Sequence, residues 1–270
     1  MAFDVNNFVI DRIIRGVMLS SSTGEVLWSI NQIEEPSLQV TSESNDAVDA
    51  LGTPIMSFER GKSAEFSASN SLFDLGLLAA QMGSEKKQAT NSAKIKLPIF
   101  EEIEVPSGSA TVTLSKTPAG TGAAGIPYIY KLNGDSTIAT KYTYGSTDAA
   151  SQFTFNGTTL TFPTGLNAGD MIFVVYEYEA DGTEGNGGVS VEGNAVDFPK
   201  AGKFVMEVLG CDVCDPSTLY YAYVIFPQAK LMSDFDLSFT TDGKHPFSMK
   251  AMQQYCDHSK KLFQVAIPEM

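Results

Sequence analysis

The sequence predicts a mainly β protein: a β-sandwich or barrel domain with one flanking α-helix, interrupted by a smaller β-sandwich. Three observations carry this reading. Short stretches in which apolar and polar residues alternate recur between turn-forming residues, as in SAEFSAS and DFDLSFT, the period-two pattern of half-buried strands. One stretch after Asn70 places apolar residues at helical spacing and ends in glycine. The composition turns rich in Ser, Thr, Gly and Tyr at Pro106 and turns back near Gly188. Residues 106–185 therefore read as an inserted domain, and 1–105 with 186–270 as the two halves of a discontinuous one.

Taken in order, Phe8, Ile13 and Val17 suit either a short amphipathic helix or an edge strand. Val26, Trp28 and Ile30 alternate, and Glu34-Glu35-Pro36 is expected to turn the chain into SLQVTSES as a hairpin. Residues 42–53, SESNDAVDALGT, mix Glu43, Asp46 and Asp49 with turn formers. They also hold Val48 and Leu51, the mixture expected of a docking loop. Ile55 to Arg60 leads through Gly61 to a strand with Ala64, Phe66 and Ala68 on one face and Ser63, Glu65, Ser67 and Ser69 on the other. Ser71 and Asp74 read as a capping box. The helix that follows carries Leu72, Leu75, Ala79 and Met82 in one stripe, widened by Phe73 and Leu77, and Gly83 stops it.

In the inserted segment, YIYKLNG, IATKYTYG and MIFVVYEYEA supply strands. FTFNGTTLTF is expected to turn at Asn156-Gly157, with Phe153 opposite Leu160. The segment suits a small immunoglobulin-like (Ig-like) sandwich without the Cys and Trp hallmarks of antibody domains, or further strands of one larger sheet. DGTEGNGG is a flexible return. Residues 203–209 and 219–226 resume the main domain. Phe235, Leu237 and Phe239 alternate with Asp234, Asp236, Ser238 and Thr240 and predict another strand, and residues 261–267 the last.

The 270 residues carry a formal net charge of −14, and Arg12, Arg15 and Arg60 are the only arginines. Grip on a phosphate backbone comes from clustered Lys and Arg that release counterions, so this composition excludes a tight nucleic-acid binder. An acidic surface serves solubility, and it equally suits a surface that nucleic acid passes without sticking. The opening MAFDVNNFVIDRI, with Asp4 and Asp11, lacks the pattern of a secretory signal, and the longest apolar runs are too short to span a bilayer. Three cysteines make no disulfide framework. The expectation is synthesis in a reducing cytoplasm without membrane contact.

Chemical motifs are few. Gly120-Thr-Gly122-Ala-Ala-Gly125 has the letters of a dinucleotide fingerprint but leads into Ile126-Pro127 and a strand, where the fingerprint needs a helix. Gly61-Lys62-Ser63 lacks the first glycine of a phosphate loop. Cys211-Asp-Val-Cys214 with Cys256 and His258 has the ligand types of a zinc site, if strands bring them together; otherwise these are ordinary cysteines. With His245 and His258 the only histidines, no H-E-x-x-H and no G-x-S-x-G, no catalytic residue and no cofactor are expected. The chain does not read as an enzyme.

Three stretches, SAEFSASNSLFDLGLLAAQMG, GNAVDFPKAGKFVMEVL and YAYVIFPQAKLMSDFDLSFTTDGKHPFSMKA, resemble the major tail tube proteins of long-tailed, siphovirus-like bacteriophages over about residues 24–97 and 185–267. The resemblance lies in the order and flavour of elements. It implies a tail-tube-like β-sandwich that closes into hexameric rings, stacked into a conduit for genome ejection. The expected partners are further copies of the chain, other tail proteins and viral DNA passing without tight binding; the expected location is the virion tail, after synthesis in the host cytoplasm. Glu65, Asp234 and Asp236 become candidates for an electronegative bore. Asp46, Val48, Asp49 and Leu51 become candidates for the loop that reaches the neighbouring ring, and the insertion a decoration displayed outward. Two rival readings remain: a β-sandwich surface adhesin whose Tyr-rich insertion binds glycans, and another virion component such as a capsid or spike protein.

Overall fold

The computed structural model describes residues 7–145 and 150–268; Asp4 lies outside them. The chain divides into two compact units, Met1–Lys86 with Val191–Met270 and Lys87–Ser190. The second unit starts at Lys87 rather than near Pro106 because the strand before Pro106 pairs along its length inside that unit.

The first unit holds β1 (Phe8–Ser20), β2 (Val26–Ile30), β3 (Ile33–Val48), β4 (Pro54–Asn70) and α1 (Leu75–Met82), the single α-helix among the described residues. In the second unit lie β5 (Lys87–Gln88), β6 (Ile95–Glu104), β7 (Thr111–Thr113), β8 (Tyr128–Leu132), β9 (Ile138–Tyr144), β10 (Gln152–Asn156), β11 (Thr159–Thr161), β12 (Met171–Ala180) and β13 (Val189–Ser190). β14 (Ala201–Asp212), β15 (Asp215–Leu231), β16 (His245–Ala251) and β17 (Gln264–Ala266) return to the first.

Strands of the first unit form one eight-stranded sheet ordered β2-β1-β14-β15-β16-β4-β3, with β17 on β15. The Phe8 segment is a strand, not a helix, since it pairs with β14 from Phe8↔Asp212 to Ser20↔Gly202. The hairpin expected between β2 and β3 does not form. β2 pairs with β1 and β3 with β4, at opposite ends of the order. Glu34-Glu35-Pro36 lies inside β3 as a bulge: Glu35 takes φ 52 and the register shifts between Glu34 and Ser37. Only Asn31 and Gln32 join these two edge strands, so the sheet has to roll up. Its inner face is an aromatic core in which the Phe66 ring stands 5.9 Å from Phe204 and 6.0 Å from both Phe226 and Phe247.

The helix is capped by Asp74, whose carboxylate accepts the Leu77 N–H at 2.8 Å; Ser71 is not the cap. Leu72 and Phe73 precede it and stay exposed, while Leu77, Ala79 and Gln81 are buried. Gly83 ends it at φ 69, where an added Cβ would strike the backbone of Phe198. His245, 1% exposed, ties helix to sheet. Its Nδ1 accepts the Asp74 N–H at 3.4 Å, its Nε2 lies 2.7 Å from Gln81 Oε1, and Gln81 Nε2 donates to the Pro246 carbonyl at 2.9 Å. That makes the ring neutral with the proton on Nε2. Burial lowers its pKa, against a smaller opposing effect of Asp74.

The strand expected over Phe235 to Phe239 is absent, because β15 ends at Leu231. These apolar residues pack elsewhere: Phe235 stands 6.4 Å from the His245 ring and Phe239 6.2 Å from Phe73. The last strand is shorter than residues 261–267.

The second unit is a seven-stranded sheet ordered β6-β12-β8-β9-β10-β11-β7 around its own core, with β5 and β13 paired where the chain enters and leaves. Its hairpin turns one residue later than expected, which moves the partner of Leu160 by two, from Phe153 to Phe155. Phe155 opposes Leu160 and Asn156 opposes Thr159, so Gly157, φ 56, takes the first central position. A glycine there suits the turn that opens with positive φ.

Candidate assembly surface

Beyond Ala64 the β3–β4 hairpin leaves the core. β3 is exposed from Glu34 to Val48 and β4 from Pro54 to Ser63, so this length is a ribbon with both faces in water. Two strands without a core are marginally stable in isolation. The register pairs Asn45 with Phe58 and Ala47 with Met56 on one face, and Ser44 with Glu59 and Asp46 with Ser57 on the other. Met56 and Phe58 thus share one face with Asn45 and Ala47, and Asp46 and Glu59 share the other, where period two also puts Ile55.

The tip is ordered by one side chain. Asp49 Oδ1 accepts the N–H of Leu51 at 2.9 Å and of Thr53 at 2.8 Å, while Gly52 turns at φ 85. Those N–H donors hold the Asp49 carboxyl below the usual carboxylate range. Leu51, 91% exposed, is presented at the apex. An apolar side chain on a preorganised turn is the form of an interface anchor. All four loop candidates lie here, although Asp46 and Val48 are in strand and Asp49 shapes the turn. Sequence reading missed Ile55, Met56 and Phe58, all exposed. Their signal was the P-I-M-S-F run itself, read only as a return segment.

The bore candidates fall in two places. Glu65 stands on the outer face of β4, opposite Lys250 of β16 and Gln39 of β3. Around it the same face carries Ser37, Thr41, Ser63, Ser67, Ser69 and Ser248, with Thr41 and Ser63 hydroxyls 2.6 Å apart. Asp234 and Asp236 are exposed in the irregular connection between β15 and β16, off the sheet. The ordered outer face is rich in hydroxyls, and its acids meet lysines: Glu65 is opposite Lys250, and Glu34, opposite Ser69, pairs with Lys244 at 2.9 Å.

The zinc candidates are separated by the strands that hold them. Cys211 sits in β14, Cys214 in the tight turn that follows, and Cys256 and His258 in the connection after β16. Among the described residues no group of three or more His, Cys, Asp or Glu side chains is placed to share a metal. Cys-x-x-Cys here spans a hairpin turn, with Asp212 opposite Asp215. Gly122–Ala124 forms a short 3-10 turn leading to β8, not a phosphate-binding helix.

The model of the YomU/Tube protein family matches residues 8–261. No curated protein matches the chain.

Proposed function

The chain belongs to the YomU/Tube protein family, whose members are phage tail tube proteins, and from that membership we propose that it builds stacked hexameric rings that form the conduit for genome ejection. The observation that carries this reading is the β3–β4 ribbon, whose Ile55, Met56 and Phe58 and Leu51 tip lie in water in the single chain. Further copies are the natural cover for such a surface. The sheet also ends in two unlike edges, β2 and β3. Contacts between unlike surfaces build rings where the rotation closes and filaments where it does not.

In this assembly viral DNA passes through the lumen without tight binding, in keeping with a formal charge of −14 and the scarcity of arginine. Glu65, Asp234 and Asp236 are the lumen candidates, Asp46, Val48, Asp49 and Leu51 the contacts to the next ring, and Lys87–Ser190 an outward decoration. Other tail proteins cap the stack. The product is the virion tail, assembled in the host cytoplasm.

Negative-stain microscopy of the purified chain, beside its mass in solution, tests the reading. Annuli or tubules with sixfold mass are expected. Single particles that stay monomeric at every concentration overturn it.

A further inference from the structure

Where α1 meets the sheet, polar side chains are buried together. His245 and Gln81 are each 1% exposed and Asn70 3%, and Asp74 caps the helix beside them. Asn70 stands opposite His245 in the β4–β16 pairing, on the same face. Its Nδ2 donates to the Leu72 carbonyl at 2.6 Å, but its Oδ1 is buried with no hydrogen-bond partner among the described residues. A buried acceptor left empty is costly. The neutral ring cannot fill it. Its one proton goes to Gln81 Oε1, and its Nδ1 is itself an acceptor, for the Asp74 N–H. Aromatic rings close the site: Phe73, next to the cap, stacks on the His245 ring at 5.7 Å, and Phe235 of the β15–β16 connection stands 6.4 Å from it.

We propose that this cluster is a proton-operated latch: protonation turns His245 Nδ1 from acceptor for Asp74 into donor to Asn70 Oδ1, and the first turn of α1 comes off the sheet with the connection stacked on it. The inference stands apart from self-assembly and concerns the single chain. A proton on Nδ1 sets two donors, the ring N–H and the Asp74 N–H, against each other. It also places a positive charge at a helix N-terminus, where the macrodipole disfavours it. The charges around the ring do not reverse this. Burial outweighs the attraction of Asp74 at the start of α1, and Gln81 further along it is neutral. On β16, Lys244 is bonded to Glu34 and Glu35 of β3 at 2.9 and 2.8 Å. In the connection, Asp234, Asp236 and Asp242 are exposed, and β4 sets the neutral Asn70 opposite the ring. The closed form resists a proton that the open form accepts. The latch is therefore closed above about pH 6.5 and opens as pH falls below it.

Hydrogen exchange on the full chain, corrected for the intrinsic effect of pH, tests this beside NMR of the two histidines, His245 and His258. At neutral pH His245 is expected as the Nε2–H tautomer. As pH falls, the amides of residues 71–78 and 232–244 are expected to lose protection by about tenfold per pH unit, as linkage to one proton requires. The loss follows the titration of His245 and not that of His258, and the amides of β14 keep their protection. Asn70→Asp places a carboxylate opposite the ring and is expected to move the midpoint up by about one unit or more. Protection at residues 71–78 that persists while the ring titrates overturns the latch. Loss in β14 at the same midpoint does so too, since the event is then global unfolding. A ring that takes no proton before the sheet unfolds, or a midpoint unmoved by Asn70→Asp, also overturns it.

Discussion

At the scale of single residues, two titratable groups and one buried ring set measurable behaviour. Asp49 is held ionised by the backbone N–H groups of Thr53 and Leu51, so the ordered tip is present above about pH 4 and is lost as pH falls through its lowered pKa. Asp49→Ala is expected to slow polymer growth several-fold with an unchanged unfolding midpoint, read by light scattering and urea titration. His245 behaves in the opposite chemical sense. The folded chain holds its ring neutral and its pKa is lowered by burial. The unfolded chain therefore binds more protons below about pH 6.5, and stability falls as pH drops from 7.5 to 5.5. His245→Leu, whatever its own stability, is expected to flatten that part of the urea-midpoint profile. Phe66 lies among Phe204, Phe226 and Phe247. Phe66→Ala is expected to cost about 3–5 kcal/mol in urea unfolding.

At the scale of elements, the two units treat their strand edges differently. β6, at one end of the second sheet, carries Pro98, which has no N–H to donate, and exposed Glu102 and Glu104. β7, at the other end, spans only Thr111–Thr113. These are the devices that keep an edge from pairing with another chain. β3 carries Pro36, Glu34 and Glu35 at its start, and differs in running on for 16 residues into the exposed ribbon. Deleting Asp46–Leu51 removes the tip but none of the core contacts that begin at Ala64. The shortened chain is expected to keep its cooperative unfolding and to form no tubes. Normal tubes from it would remove the ribbon from assembly.

At the scale of the whole molecule, the second unit has its own core, and its entry and exit strands pair at Val189↔Gln88 and Ser190↔Lys87. Neighbouring strands lie about 5 Å apart, so a short turn can replace residues 89–188. The excised chain is expected to fold and polymerise, checked by urea unfolding and microscopy; loss of folding would show that the units share stability. The sequence by itself determined the β class, the one helix with its glycine stop, and the polar and apolar faces of β4, because those follow from local period and turn chemistry. It also marked Leu51 and Asp49, since an apolar residue among turn formers is visible without coordinates. Partner choice was not legible. That β2 leaves its sequence neighbour for β1, that Phe235 packs on His245 instead of extending a strand, and that Cys211 and Cys214 straddle a turn were decided by tertiary structure alone. Period tells which side of a strand is apolar. Which residues distant in sequence cover that side depends on how the whole sheet rolls.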